Sequence, residues 1–259
     1  MPDPLSHHRL AADALVRSRL AGGSCADFPG GVPGTLDHAY AIQREAIALW
    51  PDAIAGWKVG RLSAELAARY GVERFIGPVF ARDVRRSCAG EVAEFAMFEG
   101  GSAAFEAEFM VWAGLDPAGR IVPERLTTGI EVASSPVATL PALGSLASVA
   151  DLGNNAGQIV GEAVPIALFG QAEALSCETR IDGGPPVRRT AASLPGGIVA
   201  AFGFAVEQAA RLGHPLRPGQ FVSTGAVTGM HPVRPGMECQ ADFGDFGAIA
   251  CRVVPRRPA

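Results

Sequence analysis

The feature that most constrains the fold is an apolar run, AFEAEFMVW at residues 104–112, with two carboxylates inside it. In an extended strand successive side chains alternate between the two faces, so Glu106 and Glu108 share one face about 7 Å apart and apolar residues line the other. Burying two like charges without a partner costs several kcal/mol, and a bound cation would offset that cost. The alternative is a rim strand whose polar face contacts water. The pair alone does not decide between the two.

Composition limits the classes of partner. A chain of 259 residues fits one large domain, or one domain with a small helical appendage. The formal net charge of −4 provides no basic surface for a phosphate backbone, so no nucleic-acid partner is expected. We find no apolar run of membrane-spanning length and no signal-peptide core, and we therefore predict a cytoplasmic protein without a membrane partner.

Helical patterns dominate the first part of the chain. An Ala/Leu/Arg-rich pattern predicts a helix over residues 5–20, and Thr35 is a suitable cap for a helix that ends before Pro51. Ser63 can cap a short helix that ends at Gly71. We assign residues 1–75 to a helical N-terminal region that forms a lid or an appendage.

The pattern changes after this region. Short apolar or alternating runs, punctuated by Gly and Pro, predict mixed sheets. One further helix is predicted over residues 195–213, and two strands, ECQADF and AIACRVV, close the chain. We assign residues 76–259 to a mixed β catalytic core, and the fold class is α+β.

Two further residues have unusual settings. Glu131 lies in the strand-like run GIEVASSP, and three carboxylates from two strands could form an oxygen-only site, which favours Mg²⁺ or Mn²⁺ over zinc. Pairing of Glu131 with an arginine is the alternative. Lys58 lies in GWKVG, where burial would lower its pKa and suit it to proton transfer. A lysine whose amine reaches water is the alternative.

Polar residues elsewhere could contact a ligand. GNNAGQIVGE lacks the pattern of a phosphate loop, but Asn154 and Asn155 could orient a polar ligand. STGAVTG offers the hydroxyls of Ser223 and Thr224 beside glycine amides, which suits a carboxylate but also an ordinary tight turn. We predict Asn155, Ser223 and Thr224 as substrate-binding residues.

These motifs occur in a fixed order along the chain: GWKVG, EAEF, GIEVASSP, GNNAGQIVGE and STGAVTG…VRPGM…ADFGDFGAI. The ordered set resembles the 2-keto-4-pentenoate hydratase and 4-oxalocrotonate decarboxylase family, within the fumarylacetoacetate hydrolase superfamily. The resemblance implies a mixed β-sandwich roll with one Mg²⁺ or Mn²⁺ site. Its metal ligands fall on Glu106, Glu108 and Glu131. Its lysine, which moves protons at the substrate, falls on Lys58.

The same resemblance implies an activity. A metal-dependent hydratase would add water to a 2-hydroxy-2,4-dienoate of the 2-oxo-4-pentenoate type and give a 4-hydroxy-2-oxo acid. The alternatives are a 4-oxalocrotonate decarboxylase and a non-catalytic member that binds a metal and a small acid. In either enzyme the partner is a small 2-oxo acid, and a homo-oligomer is expected.

The chain departs from the family pattern at two places. Many relatives carry Asp-Ser-Arg after the third carboxylate, where this chain has Ala133-Ser134-Ser135 followed by Pro136. Many also carry Ala-Asp-Asn where this chain has Gly153-Asn154-Asn155. An amide therefore replaces an acidic group at Asn154, which predicts an intact metal site with an altered substrate pocket.

Overall fold

A computed structural model describes residues 4–88 and 90–258 of the chain. The helices are α1 Pro4–Leu20, α2 Leu36–Leu49, α3 Ala64–Tyr70, α4 Leu140–Leu143, α5 Ser145–Ala150 and α6 Gly197–Arg211. The strands are β1 Ile54–Arg61, β2 Arg74–Phe80, β3 Val84–Arg86, β4 Val92–Met97, β5 Ser102–Leu115, β6 Ile121–Ser135, β7 Asn155–Val164, β8 Ser176–Ile181, β9 Val187–Thr190, β10 Phe221–Ser223, β11 His231–Pro232, β12 Glu238–Asp242 and β13 Ala248–Pro255.

Side-chain and glycine caps set the helix ends. The Thr35 hydroxyl accepts a hydrogen bond from the backbone N–H of His38 at the start of α2. The Ser63 hydroxyl accepts one from the N–H of Leu66 at the start of α3. Gly71 ends α3 with a left-handed φ of 67°, which glycine adopts without steric cost. These ends confirm the predicted helices.

Two mixed sheets form the body of the protein. The larger runs in the order β2-β1-β10-β5-β6-β7-β3, with β11 also paired to β5, and the smaller runs β4-β13-β12-β8-β9. The pairs β1–β10, β3–β7 and β4–β13 are parallel, and the other described pairs are antiparallel. This architecture confirms the α+β class with mixed sheets.

The core between the sheets explains the alternation in β5. Phe105 and Phe109 project from one face of β5 and contact Phe95 of β4 and Phe243 after β12, with ring centroids 5.9 and 5.4 Å apart. Because alternate side chains point to opposite faces, the other face of β5 presents the carboxylates. The apolar residues of this run therefore serve sheet packing, and the polar ones line a separate site.

Elements on both sides of the predicted boundary at residue 75 share one sheet and one hydrophobic core. Strand β1 lies within the predicted helical region, yet it pairs with β2 and β10 in the larger sheet. Helix α2 is also part of the core, since the buried amide of Gln43 donates to the carbonyls of Ile76 and Val149 at 3.0 and 2.7 Å. The apolar faces of α1 and α2 lie in the same hydrophobic core as the sheets.

Among the described residues, no helix combines the length and the apolar content that crossing a lipid bilayer requires.

Candidate metal centre

Three buried carboxylates meet on one face of the larger sheet. Glu106 on β5 lies directly opposite Glu131 on β6 in the antiparallel ladder, and Glu108 is the next residue of β5 on the same face. Glu106 is 6% exposed, and the other two are fully buried. One carboxylate oxygen from each lies within 4.8 Å of the others. The predicted trio is therefore assembled.

Neighbouring strands orient two of these carboxylates. Glu108 accepts hydrogen bonds from the hydroxyl of Ser223 and from the backbone N–H of Gly225, the latter at 3.0 Å. Glu131 accepts a hydrogen bond from the side-chain amide of Asn155 at 3.0 Å. Each carboxylate is thus held through one oxygen, and its other oxygen remains available.

Burial and repulsion by neighbouring carboxylates disfavour ionisation of Glu106 and Glu108. Burial raises the pKa of Glu106 to about 8, the Glu131 carboxylate adds to the rise, and the Lys58 ammonium opposes it. Burial also raises the pKa of Glu108 well above its usual range, with the charges of Glu131 and Glu106 acting in the same direction. The arrangement is costly for a site that contains only protein groups.

The cluster meets the requirements of a hard divalent cation. The second oxygens of Glu108 and Glu131 are buried and have no hydrogen-bond partner among the described residues. Three carboxylates beside one buried ammonium leave two negative charges uncompensated, which one divalent cation would balance. Oxygen-only donors suit Mg²⁺, Mn²⁺ or Ca²⁺.

Lys58 lies at the edge of the cluster. Its Nζ is 3.3 Å from Oε1 of Glu131, and the residue is 4% exposed. The expected lowering of its pKa is wrong: burial does lower the pKa of Lys58, but Glu131, Glu106 and Glu108 outweigh burial and leave it raised. The alternative of a lysine with its amine in water is also wrong.

Sequence reasoning missed one strong signal, which is that Lys58 is the single lysine of a chain that otherwise uses 21 arginines for its basic side chains. Every other long basic side chain in the sequence is an arginine, and position 58 alone carries an ammonium group. A lysine gives up its proton more readily than an arginine does.

A cavity of about 500 Å³ opens beside the cluster. Lys58, Glu106, Asn154 and Thr224 are among its lining residues. The oxygen of the Asn154 side chain has no hydrogen-bond partner among the described residues, and its backbone has a left-handed φ of 62°. A larger cavity of about 850 Å³ lies elsewhere between the sheets and contains none of the three carboxylates. The smaller cavity is therefore the candidate site.

The predicted substrate-binding residues occupy different positions. Thr224 lines the cavity, although its hydroxyl donates to the carbonyl of Phe109 at 2.8 Å. Asn155 and Ser223 do not line it; their side chains contact Glu131 and Glu108. Substrate contact by Asn155 and Ser223 stays a prediction, and their geometry supports a role in orienting the carboxylates.

The structure adds two groups that the sequence patterns did not indicate. Gln158 on β7 lies opposite Glu131, and its amide oxygen accepts a hydrogen bond from the Ser223 hydroxyl at 3.3 Å. The N–H of Gly225 contacts Glu108. Strict alternation from Asn155 would have put Gln158 on the opposite face of β7, and the irregular β6–β7 register between Glu131 and Ala133 places it opposite Glu131 instead. No sequence signal identifies a backbone N–H contact.

A close backbone approach fixes the turn beside Lys58. A Cβ at Gly77 would lie 2.5 Å from the carbonyl oxygen of Leu152 and 2.6 Å from the Cα of Gly153. A Cβ at Gly153 would lie 3.2 Å from the Cδ of Lys58. Only glycine allows the turn that carries Asn154 to approach β2 this closely.

Solved structures share this fold. A 4-oxalocrotonate decarboxylase from Pseudomonas putida G7, complexed with magnesium and adipate, is similar with a TM-score of 0.76 and 20% identity over 96% of this chain and 98% of that chain. Fumarylpyruvate hydrolase from Pseudomonas aeruginosa, in complex with Mn²⁺ and pyruvate, is similar with a TM-score of 0.51 and 19% identity over 76% of this chain and 88% of that chain.

Neither protein-family models nor curated protein sequences gave a match to this chain. The structural neighbours show that this chain shares their fold.

Proposed function

We propose that this chain, which has the fold of the fumarylacetoacetate hydrolase superfamily, is a divalent-metal-dependent lyase of 2-oxo acids. The specific activity we propose is hydration of a 2-hydroxy-2,4-dienoate of the 2-oxo-4-pentenoate type to a 4-hydroxy-2-oxo acid. One observation carries the proposal: three buried carboxylates with unpartnered oxygens adjoin the single lysine of the chain in the wall of a cavity.

The metal ligands in this proposal are Glu106, Glu108 and Glu131, and the ion is Mg²⁺ or Mn²⁺. Such an ion, when bound, supplies positive charge that stabilises negative charge developing on the 2-oxo oxygen of the substrate. Structural neighbours contain magnesium or Mn²⁺, which supports this assignment.

Protein groups prepare the site for that chemistry. Ser223 and the N–H of Gly225 fix one oxygen of Glu108, and Asn155 fixes one oxygen of Glu131, so that the other oxygen of each carboxylate is left without a partner among the described residues. Lys58 presents its Nζ to the same cavity and would move the proton that interconverts the dienol and the enone. Water then adds at the distal carbon of the enone.

Decarboxylation of 4-oxalocrotonate is the second candidate, because the neighbour with a TM-score of 0.76 over nearly the whole chain is a 4-oxalocrotonate decarboxylase. In that reaction the conjugated 2-oxo group of the substrate takes up the electron pair that departing CO₂ leaves behind, and positive charge at the site would stabilise the enolate oxygen. A non-catalytic protein that binds a metal and a small acid is less well supported, since binding alone does not require a lysine in contact with the carboxylates.

Turnover assays test the proposal. Freshly generated 2-hydroxypenta-2,4-dienoate and 4-oxalocrotonate are incubated in parallel with and without Mg²⁺, while dienol absorbance and CO₂ release are followed. Metal-dependent loss of the dienol without CO₂ supports the hydratase, and CO₂ release supports the decarboxylase. No turnover of either acid by protein that binds Mg²⁺ would contradict both. Light scattering on the same preparation tests the expected homo-oligomer.

A further inference from the structure

We propose that Gln158 is a positioning residue of the candidate metal centre. Its side-chain amide donates a hydrogen bond to a water molecule bound to the divalent cation, on the side of the cation that faces away from the cavity. The inference rests on the proposed function only for the presence of a cation at the three carboxylates. It adds a protein group that fixes which positions around the cation are left to the substrate.

The amide of Gln158 adjoins two of the three carboxylates. Gln158 on β7 lies directly opposite Glu131 on β6 in the antiparallel ladder. Side chains directly opposite one another in such a ladder are close enough to interact. The amide oxygen of Gln158 also lies 3.3 Å from the hydroxyl oxygen of Ser223, and that hydroxyl donates to Glu108. The amide therefore lies beside both Glu131 and the group that holds Glu108.

The amide nitrogen of Gln158 is buried without a partner. The residue is 1% exposed, and its Nε2 has no hydrogen-bond partner among the described residues. A buried N–H group that lacks an acceptor costs free energy. The contact with Ser223 holds the amide only weakly, because a hydroxyl has one proton to donate and Glu108 also accepts it. The amide nitrogen thus calls for an acceptor that the described protein groups do not supply.

A water molecule on the cation matches all the unpartnered atoms of the cluster. The second oxygens of Glu108 and Glu131 are, like Nε2 of Gln158, buried and without partners among the described residues. The amide therefore does not reach either oxygen directly. A cation satisfies the two oxygens but offers nothing to an N–H group. A water bound to that cation offers an acceptor oxygen to the amide, and Mg²⁺ usually keeps several waters in protein sites.

The order of residues along the strands places Gln158 on the closed side of the cluster. Glu106, Glu108 and Met110 follow one another on the same face of β5, and of these three only Glu106 lines the cavity. Val160 follows Gln158 on the same face of β7, and neither of them lines the cavity. Met110 and Val160 are buried in one apolar cluster, which closes the interior beneath the carboxylates. A substrate that enters from the cavity meets Glu106 first, so the acceptor at Gln158 is assigned to water.

A water held at this place restricts how the substrate binds. In an octahedral shell with one oxygen from each carboxylate, a 2-oxo acid that chelates the cation takes two positions and leaves one. Gln158 assigns that remaining position to the closed side of the cluster. The positions on the cavity side are then kept for the two oxygens of the substrate.

Metal affinity provides the first test. Calorimetry measures binding of Mg²⁺ to the wild-type protein and to Gln158→Leu without any substrate. We expect Gln158→Leu to bind Mg²⁺ about 10- to 100-fold more weakly, which is the usual cost of losing a group that orients a metal ligand. Gln158→Met, whose side chain is unbranched like that of glutamine, is the second variant if Gln158→Leu folds poorly.

A count of bound waters provides the second test, because a purely structural role would not change it. Electron paramagnetic resonance of Mn²⁺-loaded protein in ¹⁷O-enriched water detects each water on the ion as line broadening. Saturating oxalate, which chelates through two oxygens, takes the positions on the cavity side. We expect the wild-type protein to keep one bound water under these conditions and Gln158→Leu to keep none.

Val160→Ala is the matched control. It removes packing beneath the carboxylates from the next residue on the same face of β7, but no hydrogen-bonding group. Its melting temperature should fall because it leaves a cavity in the core. Its Mg²⁺ affinity and its bound water in the presence of oxalate should equal those of the wild-type protein.

Four outcomes would overturn the inference. Wild-type Mg²⁺ affinity in Gln158→Leu would overturn it and leave the proposed function standing. The same water count in both proteins would do so too, because the amide would then act without a water. An equal loss of affinity in Val160→Ala would assign the effect to packing and not to the amide. Failure of the wild-type protein to bind Mg²⁺ or Mn²⁺ would overturn the inference together with the proposed function.

Discussion

Arg19 and Asp151 form a buried, two-pronged ion pair although they are 132 residues apart. Nε of Arg19 lies 2.7 Å from one carboxylate oxygen of Asp151, and Nη2 lies 2.8 Å from the other. The same guanidinium donates to the backbone carbonyl of Asn155 at 2.7 Å, and the Asn155 side chain donates to Glu131. The first helix is therefore connected to the carboxylate cluster through two residues, Arg19 and Asn155.

We predict that Arg19→Ala lowers the free energy of unfolding by about 3–5 kcal/mol, because it leaves Asp151 buried without its partner. Urea unfolding measures this change. The control is Arg17→Ala on the same helix: its ion pair with Asp13 is largely exposed, and its loss should cost less than about 1 kcal/mol. Similar costs for the two variants would contradict the prediction.

We predict opposite effects of Glu108→Gln on metal-free and metal-loaded protein. Without metal, removing one of three buried like charges should leave the free energy of unfolding unchanged or raise it by about 1–2 kcal/mol. With Mg²⁺, the stabilisation by bound ligand should be largely lost. Thermal unfolding with and without Mg²⁺ measures both effects.

The matched control for this variant is Glu124→Gln, an exposed carboxylate on β6. It should change neither quantity. A Glu108→Gln protein that is still stabilised by Mg²⁺ to the wild-type extent would remove Glu108 from the metal ligands.

We predict that Lys58→Arg lowers turnover about 10²- to 10⁴-fold and retains Mg²⁺ affinity, because arginine keeps the positive charge but cannot give up its proton near neutral pH. Turnover and calorimetric Mg²⁺ titration are measured on the same preparation. Turnover near the wild-type rate would mean that position 58 supplies charge and not a proton.

We predict that Gly77→Ala destabilises the protein by about 1–3 kcal/mol, because the added Cβ overlaps the backbone of the turn at Leu152 and Gly153. Turnover should fall as well, since the same turn contacts Lys58. Gly203→Ala on α6 is the control: a Cβ there meets nothing within 4 Å, and helix propensity predicts a gain of about 0.5–1 kcal/mol. If both substitutions changed the free energy of unfolding in the same direction, the result would contradict a specific overlap at Gly77.

Local chemistry made part of this structure predictable. Thr35 and Ser63 indicate where helices begin, because a hydroxyl just before an apolar helical pattern can accept a hydrogen bond from a backbone N–H that has no partner within the helix. Alternation in β5 placed Glu106 and Glu108 on one face. These features depend on residues that are close together in the sequence, and so they can be predicted from it.

Long-range contacts explain what the sequence did not show. The shift in the pKa of Lys58 depends on carboxylates from β5 and β6, which come together only in the folded sheet. Which of the two neighbouring asparagines faces the cavity depends on the left-handed turn at Asn154. Asn154 lines the cavity, and the side-chain amide of Asn155 donates to Glu131. The pairing of β1 across the predicted boundary at residue 75 likewise depends on a strand from a distant part of the chain.

Because Lys58 is the single lysine of the chain, proteolysis at this residue can measure local unfolding of β1. A protease that cleaves only after lysine has one site in the sequence, and that bond lies in a strand flanked on both sides by hydrogen-bonded neighbours. Cleavage requires β1 to leave the sheet, and the two fragments are each large enough to resolve on a gel. When opening and reclosing are fast, the cutting rate reports the free energy of that opening at the residue beside the carboxylates.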